Sequence, residues 1–252
     1  MAAQYIDAMR WQMPTPTRQP AQQGFMSMPR PCLLCGSWDR RSLCQQCLAR
    51  FGSIRNTVCP SCALPCVDGL VCGTCLRDPP PYARCIAAVV YEFPWDRLLS
   101  RFKFNDQPEL AGLLADLMAE AVDKAGAAAV DCVLPVPLSA ARLAERGYNQ
   151  AWELARRLAT RMGLPAHAGA MLRLRDTPHQ VGLGRRERAR NLRDSMWVEP
   201  SAAAGLAGRR VALVDDVLTT GVTAAAASQA LLRAGVASVQ LWALARTPAP
   251  QR

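Results

Sequence analysis

The chain has 252 residues, half of them hydrophobic, and a formal net charge of +10 from 30 Lys and Arg against 20 Asp and Glu. That length holds one large or two small domains, and the apolar share is ample for a core. No apolar run approaches the roughly eighteen residues of a membrane span, so membrane insertion is not expected. The arginine excess suits partners that carry phosphate, and equally a solvated basic surface.

Residues 1–30, including M-P-T-P-T-R-Q-P-A-Q-Q-G, are rich in Pro and Gln and lack the apolar stretch of a secretory signal. They are expected to form a disordered tail on a cytoplasmic protein. Nine of the eleven cysteines then fall between Cys32 and Cys75, and eight of these form C-x-x-C pairs: Cys32 and Cys35, Cys44 and Cys47, Cys59 and Cys62, Cys72 and Cys75. Two residues between cysteines let a tight turn aim both sulfurs at one ion, so the pairs point to structural zinc, one or two ions. A disulfide scaffold is the competing reading, and it needs a secretory route this N-terminus does not offer. Spacing leaves open whether successive or interleaved pairs share an ion. Cys66, Cys85 and Cys132 lie off the pattern and are expected to be buried spectators.

Between 31 and 82 aliphatic runs are few, and metal replaces the missing core. D-P-P-P-Y, residues 78–82, lacks three successive backbone donors and reads as a stiff connector. From Cys85 onward apolar runs alternate with amphipathic segments, the pattern of an α/β domain. C-I-A-A-V-V-Y reads as a strand. The next helix places Leu110, Leu113, Leu114, Leu117 and Met118 on one face, with Asp106 and Glu109 as a capping pair. The strand C-V-L-P-V-P-L ends in two prolines. A helix follows from near Gln150 to Met162, with Asn149 as its cap, Gly163 as its stop, and Leu154, Ala155, Leu158 and Met162 facing inward.

Residues 173–193 carry seven arginines against Asp176 and Glu187, interrupted by glycines, and read as a mobile basic loop. The last third predicts a strand over 210–215, a turn, a helix over 222–234 stopped at Gly235, and a strand over 237–245. His167 and His179 stand at no metal spacing to a cysteine pair and read as structural or exposed, with a minor binding role for His179 left open.

The string V-A-L-V-D-D-V-L-T-T-G-V-T, residues 211–223, delivers Asp215 and Asp216 to the carboxyl end of a strand, where parallel sheets bind ligands. Thr219, Thr220, Gly221 and Thr223 follow where backbone N–H groups at a helix start suit a phosphate. There is no G-K-S or G-K-T, which excludes the nucleoside triphosphate loop. The acids are then free to hold vicinal hydroxyls or a hydrated divalent cation. Phosphate beside a diol indicates ribose 5-phosphate.

This string resembles the phosphoribosyl pyrophosphate (PRPP) signature of type I phosphoribosyltransferases. L-S-R-F-K-F-N-D (99–106), L-P-V-P-L-S-A-A-R-L-A-E-R-G-Y-N-Q-A and T-P-H-Q-V-G-L-G-R-R-E-R-A-R-N resemble the competence protein F family, also called ComF/GntX. The resemblance covers about residues 31–247. It implies a double zinc ribbon over 31–82 and, over 83–248, a type I phosphoribosyltransferase-like α/β domain, a Rossmann-like parallel sheet with flanking helices; the disordered tail expected over 1–30 is additional to it, and Cys66 is unexplained by it.

It also implies roles. Asp215 and Asp216 would contact the ribose hydroxyls as catalytic and ligand-binding residues, and Thr219, Thr220, Gly221 and Thr223 would hold the 5-phosphate. The Pro135 to Leu138 turn occupies the pyrophosphate position, with Arg142 and Arg146 as helpers. Their spacing of four fits joint anion binding and also a solvated helical surface. Lys103 either reaches the site or sits at the surface, whereas Tyr148, Asn149 and Gln150 build the turn and cap. Mg2+ would accompany PRPP. The implied function is PRPP binding in natural competence, the uptake or processing of transforming DNA, with single-stranded DNA and competence-machinery proteins as partners. The alternative is an active phosphoribosyltransferase of nucleotide and nucleoside metabolism, pentosyl transfer with an unidentified base or amine acceptor. A third reading is a metabolite sensor that controls DNA binding.

Overall fold

The computed structural model describes residues 28–104, 107–127, 129–174 and 195–249. The expected tail falls outside these residues apart from 28–30, as do Asp106, His179 and most of the basic stretch. By packing, the chain divides into Met1–Cys44 and Gln45–Arg252. In the first unit β1 (Arg30–Pro31) pairs antiparallel with β2 (Trp38–Asp39). The Cys32 N–H donates to the Ser37 carbonyl at 2.8 Å and the Gly36 N–H to the Cys32 carbonyl at 2.9 Å, closing the turn between them.

The second unit opens with two short helices, α1 (Gln45–Phe51) and α2 (Gly73–Arg77). Then come β3 (Arg84–Val90), α3 (Trp95–Phe104), α4 (Leu110–Lys124), β4 (Cys132–Pro135), α5 (Ala140–Arg146) and α6 (Gln150–Met162). After β5 (Met171–Arg173) the described chain resumes with β6 (Met196–Val198), α7 (Pro200–Leu206), β7 (Arg210–Leu218), α8 (Val222–Arg233) and β8 (Ser238–Arg246). The main sheet has the order β3-β8-β7-β4, and its strands are parallel throughout. Its central strands are almost uniformly apolar because both faces are covered. Leu134, Val211, Leu213, Val239 and Leu241 share a buried cluster with Ala227 and Leu231 of α8. On the other side α4 packs on β3 and β8, and α6 on β4 and β7. β5 and β6 form a separate antiparallel pair.

Local signals place several elements. Asn149 caps α6, its Oδ1 accepting from the Ala151 and Trp152 amides, and Gly163 ends the helix at φ +67°. Leu154, Ala155 and Leu158 are buried as expected, while Met162 is half-buried. On α4, Leu113 is only half-buried and Ala111 and Ala115 complete the inner face instead. Glu109 stands at the start of α4 without a side-chain capping bond among the described residues. The main departure is β7, which continues past Asp215 to Leu218, because Asp215, Val217 and Leu218 stay in register with Ala243, Ala245 and Arg246 of β8. Both acids therefore lie inside the strand rather than at its carboxyl end.

Candidate ligand site at the carboxyl ends of the central strands

Register puts two turns side by side. Pro135 pairs with Val214, and the Val136 N–H donates to the Val214 carbonyl at 2.8 Å, so the turn after β4 begins one residue from Asp215. Asp215 and Asp216 are half-buried. The Asp215 carboxylate accepts from the Asp216 N–H at 2.9 Å and the Asp216 carboxylate from the Val217 N–H at 2.6 Å. Lys103, at the end of α3, places Nζ 3.2 Å from Asp216 Oδ2, with both side chains less than one-sixth exposed. Burial raises the Asp215 carboxyl well above the ordinary carboxylate range, and the Asp216 charge adds to this; Lys103, the Asp216 amide and Arg173 pull the other way.

Beyond β7 the chain turns through Thr219 and Thr220, both exposed, into Gly221, the residue before α8. Gly221 has φ +78°, which L side chains rarely adopt. A Cβ there would also lie 3.6 Å from the Tyr82 hydroxyl. No side chain caps α8 among the described residues. The first amides of a twelve-residue helix are thus left for a ligand or water.

The turn after β4 is built differently. Ser139 caps α5, its Oγ accepting from the Arg142 N–H at 3.4 Å. Arg142 and Arg146 both stand on α5. Arg146 donates through Nη1 to Gln150 Oε1 at 3.3 Å, and its guanidinium lies 5.1 Å from the Phe104 ring centroid. The next three residues brace this end of the sheet. The Tyr148 hydroxyl donates to the Phe102 carbonyl, Asn149 Nδ2 to the Val136 carbonyl at 3.1 Å, and Gln150 Nε2 to the Lys103 carbonyl at 3.5 Å. Arg173, first of the basic stretch, bridges to Ser139 from β5.

The fold therefore gathers Asp215, Asp216, the 219–223 turn, the Pro135 to Leu138 turn, Lys103 and Arg173 at one end of the sheet. Arg146 is engaged with Gln150 and Phe104. Two residues went unmarked in the sequence. Tyr82, assigned to the connector, is buried beside Gly221, and Arg246, the last residue of β8, is buried against the same turn. A charge closing an otherwise uncharged, mostly apolar strand was the available signal for Arg246.

The cysteines form two sets, each successive in sequence: Cys32, Cys35, Cys44 and Cys47, then Cys59, Cys62, Cys72 and Cys75, with the sulfurs of each set within 4.8 Å of one another. The sets repeat a detail. The Cys44 N–H donates to the Cys32 sulfur at 3.3 Å, and the Cys72 N–H to the Cys59 sulfur at 3.3 Å. Although burial opposes it, such amides hold the Cys32 thiol down at about 6 and the Cys59 thiol at about 7. Burial instead pushes the Cys62 and Cys75 thiols up, so the fit to tetrahedral zinc rests on four sulfurs at this spacing. Cys85 and Cys132 are buried in the sheet, whereas Cys66 is only half-buried, its thiol donating to the Leu70 carbonyl at 3.0 Å.

Known proteins agree with this architecture. Residues 26–76 match the family model described as double zinc ribbon domain, and residues 103–252 the one described as phosphoribosyl transferase domain. The chain is 35% identical over 234 residues to DNA utilization protein YhgH of Escherichia coli O157:H7, covering 88% of this chain and 100% of that relative. It is 36% identical over 179 residues to competence protein F of Haemophilus influenzae, covering 69% of this chain and 78% of the relative. Competence protein ComFC of Bacillus subtilis is 27% identical over 237 residues, covering 86% and 95%.

Proposed function

We propose, for a chain that belongs to the competence protein F family, that the acid pair and threonine turn bind PRPP with Mg2+ and that the protein serves the uptake or processing of transforming DNA. The observation that carries this reading is the uncapped start of α8, reached from Asp215 and Asp216 through the end of β7 and the short turn to Gly221. Its amides, with the hydroxyls of Thr219, Thr220 and Thr223, hold the 5-phosphate. The two aspartates accept from the ribose hydroxyls. Pyrophosphate sits at the Pro135 to Leu138 turn, where Arg142, Arg146 and Arg173 supply positive charge. Lys103 pairs with Asp216 and orients its carboxylate. Mg2+, when bound with PRPP, neutralises the pyrophosphate charge.

Residues 31–82 act as a zinc ribbon module and 83–248 as the sugar-phosphate domain. The DNA reading draws on relatives described as a DNA utilization protein and as competence proteins. The net charge of +10 supports it, since basic surface follows a phosphate backbone irrespective of base sequence. No helix among the described residues is long and apolar enough to cross a membrane, which accords with work in the cytoplasm on single-stranded DNA and partner proteins.

Calorimetric titration with PRPP and Mg2+ tests the site. Wild type binds, and the Asp215→Asn, Asp216→Asn double variant binds roughly a hundredfold more weakly, as expected when two charged acceptors are lost. Equal affinity in the two proteins rejects the site. Pyrophosphate release that requires one particular base identifies instead an active transferase and its acceptor.

A further inference from the structure

Arg246 joins the second cysteine set to the phosphate turn. The residue is 8% exposed. Its Nε donates to the Cys62 carbonyl at 2.8 Å, while Nη1 donates to the Leu218 carbonyl at 2.8 Å and to the Thr219 carbonyl. Nη1 also meets the Thr247 carbonyl and hydroxyl, each at 3.2 Å. Thr247 grips the same turn, its N–H donating to the Leu218 carbonyl at 3.1 Å. The cysteine loop is seated as well: the Cys85 N–H donates to the Pro60 carbonyl at 2.8 Å, and Ala63 is buried in the core cluster of the sheet.

The contacts to Leu218 and Thr219 have a directional consequence. A trans peptide is planar, and its C=O and N–H point opposite ways. Fixing the carbonyls of Leu218 and Thr219 toward Arg246 therefore aims the amides of Thr219 and Thr220 away from it. Those are the amides that enter the phosphate turn. The Cys62 carbonyl, for its part, is fixed when its loop closes on metal, because an ion held by four sulfurs already within 4.8 Å of one another ties the Cys59 to Cys75 loops to one point. A buried guanidinium that loses one acceptor turns toward others, and the turn it holds loosens with it.

We infer that Arg246 is a positioning residue that makes zinc occupancy at Cys59, Cys62, Cys72 and Cys75 and ligand binding at the 219–223 turn mutually dependent. The ligand half of this statement rests on the phosphate reading above; the link between metal and turn does not. Linkage is reciprocal in affinity, so bound PRPP tightens zinc by the same factor, about tenfold, by which zinc tightens PRPP.

Hydrogen exchange of the full zinc-loaded chain, followed by mass spectrometry over residues 217–224, tests the link without sugar ligand. In wild type, chelating zinc speeds exchange there about tenfold while residues 241–244 of β8 stay protected. Zinc-loaded Arg246→Met exchanges fast at 217–224 whether or not zinc is then removed, and Arg246→Lys restores part of the protection. Should Arg246→Met lose protection at 241–244 as well, Cys75→Ser, which spares the arginine, takes its place and is expected to loosen 217–224 alone. Exchange over 217–224 that ignores both zinc and the arginine overturns the inference. In a second arm, equilibrium competition with a chelator shows PRPP with Mg2+ raising zinc affinity about tenfold in wild type and not in Arg246→Met. A zinc-sensitive turn in a protein that binds no PRPP refutes the phosphate reading and upholds the link.

Discussion

Two neighbouring strands of one parallel sheet, β4 and β7, each end in a turn that leads to a helix, yet the turns differ in what they leave unsatisfied. After β4 the chain closes its own helix start: Ser139 caps α5, and the adjoining Asn149 caps α6. After β7 nothing comparable happens. Gly221 takes a left-handed conformation, contributes no side chain, and hands α8 over with its first amides uncapped and an acid pair just upstream. A helix start that the chain leaves uncapped offers its amides to an anion, the role proposed for the turn after β7. The braced turn supplies geometry and positive charge; the open one supplies donors.

The harshest way to break this contrast is to remove the cation that holds the acid pair. Lys103→Met leaves Asp216 partly buried and unpaired, and is expected to lower stability by about 3 kcal/mol in denaturant unfolding. Next in size is Gly221→Val, which places a branched side chain at φ +78° and costs about 2 kcal/mol. Calorimetry is expected to show roughly a thirtyfold loss of PRPP affinity, with the sheet still folded by circular dichroism.

A pH series sharpens the contrast. Burial raises the folded Asp215 carboxyl, so in the unliganded protein it retains its proton above the ordinary carboxylate range. Accepting from a ribose hydroxyl favours the ionised form, so binding releases a proton. PRPP affinity is then expected to fall as pH drops below the raised value, by at most about tenfold per unit, and to level off above it. Titrations in buffers of different ionisation enthalpy report that proton, and Asp215→Asn abolishes it. The smallest effect belongs to the braced turn. Ser139→Ala is expected to cost about 1 kcal/mol of stability through its lost cap, with PRPP affinity within about twofold of wild type.

What the sequence revealed follows the range of the interactions involved. Cysteine spacing, the Asn149 and Gly163 caps and the alternation of strands and helices are local, and the four C-x-x-C pairs and the α6 boundaries follow from them, whereas which pairs gather into one four-sulfur set did not. The extension of β7 to Leu218 was not legible, because backbone bonds to β8 keep a polar segment in the sheet. Nor were the partners of Lys103, Tyr82 and Arg246. Their contacts join residues far apart in the chain, as when Arg246 reaches the carbonyls of Cys62 and Leu218. Leu113 gave way to Ala115 on the inner face of α4, because the helix turns positions 111, 114, 115, 118 and 122 inward and leaves 113 at the flank of that row.

Amide chemical shifts on adding ribose 5-phosphate probe the open turn alone, since this ligand carries the terminal phosphate and diol but no pyrophosphate. The N–H signals of Thr220 to Thr223 are expected to move downfield while those of Ala140 to Leu143 stay in place. Unmoved signals at Thr220 to Thr223 in a protein that still binds the sugar phosphate contradict the account.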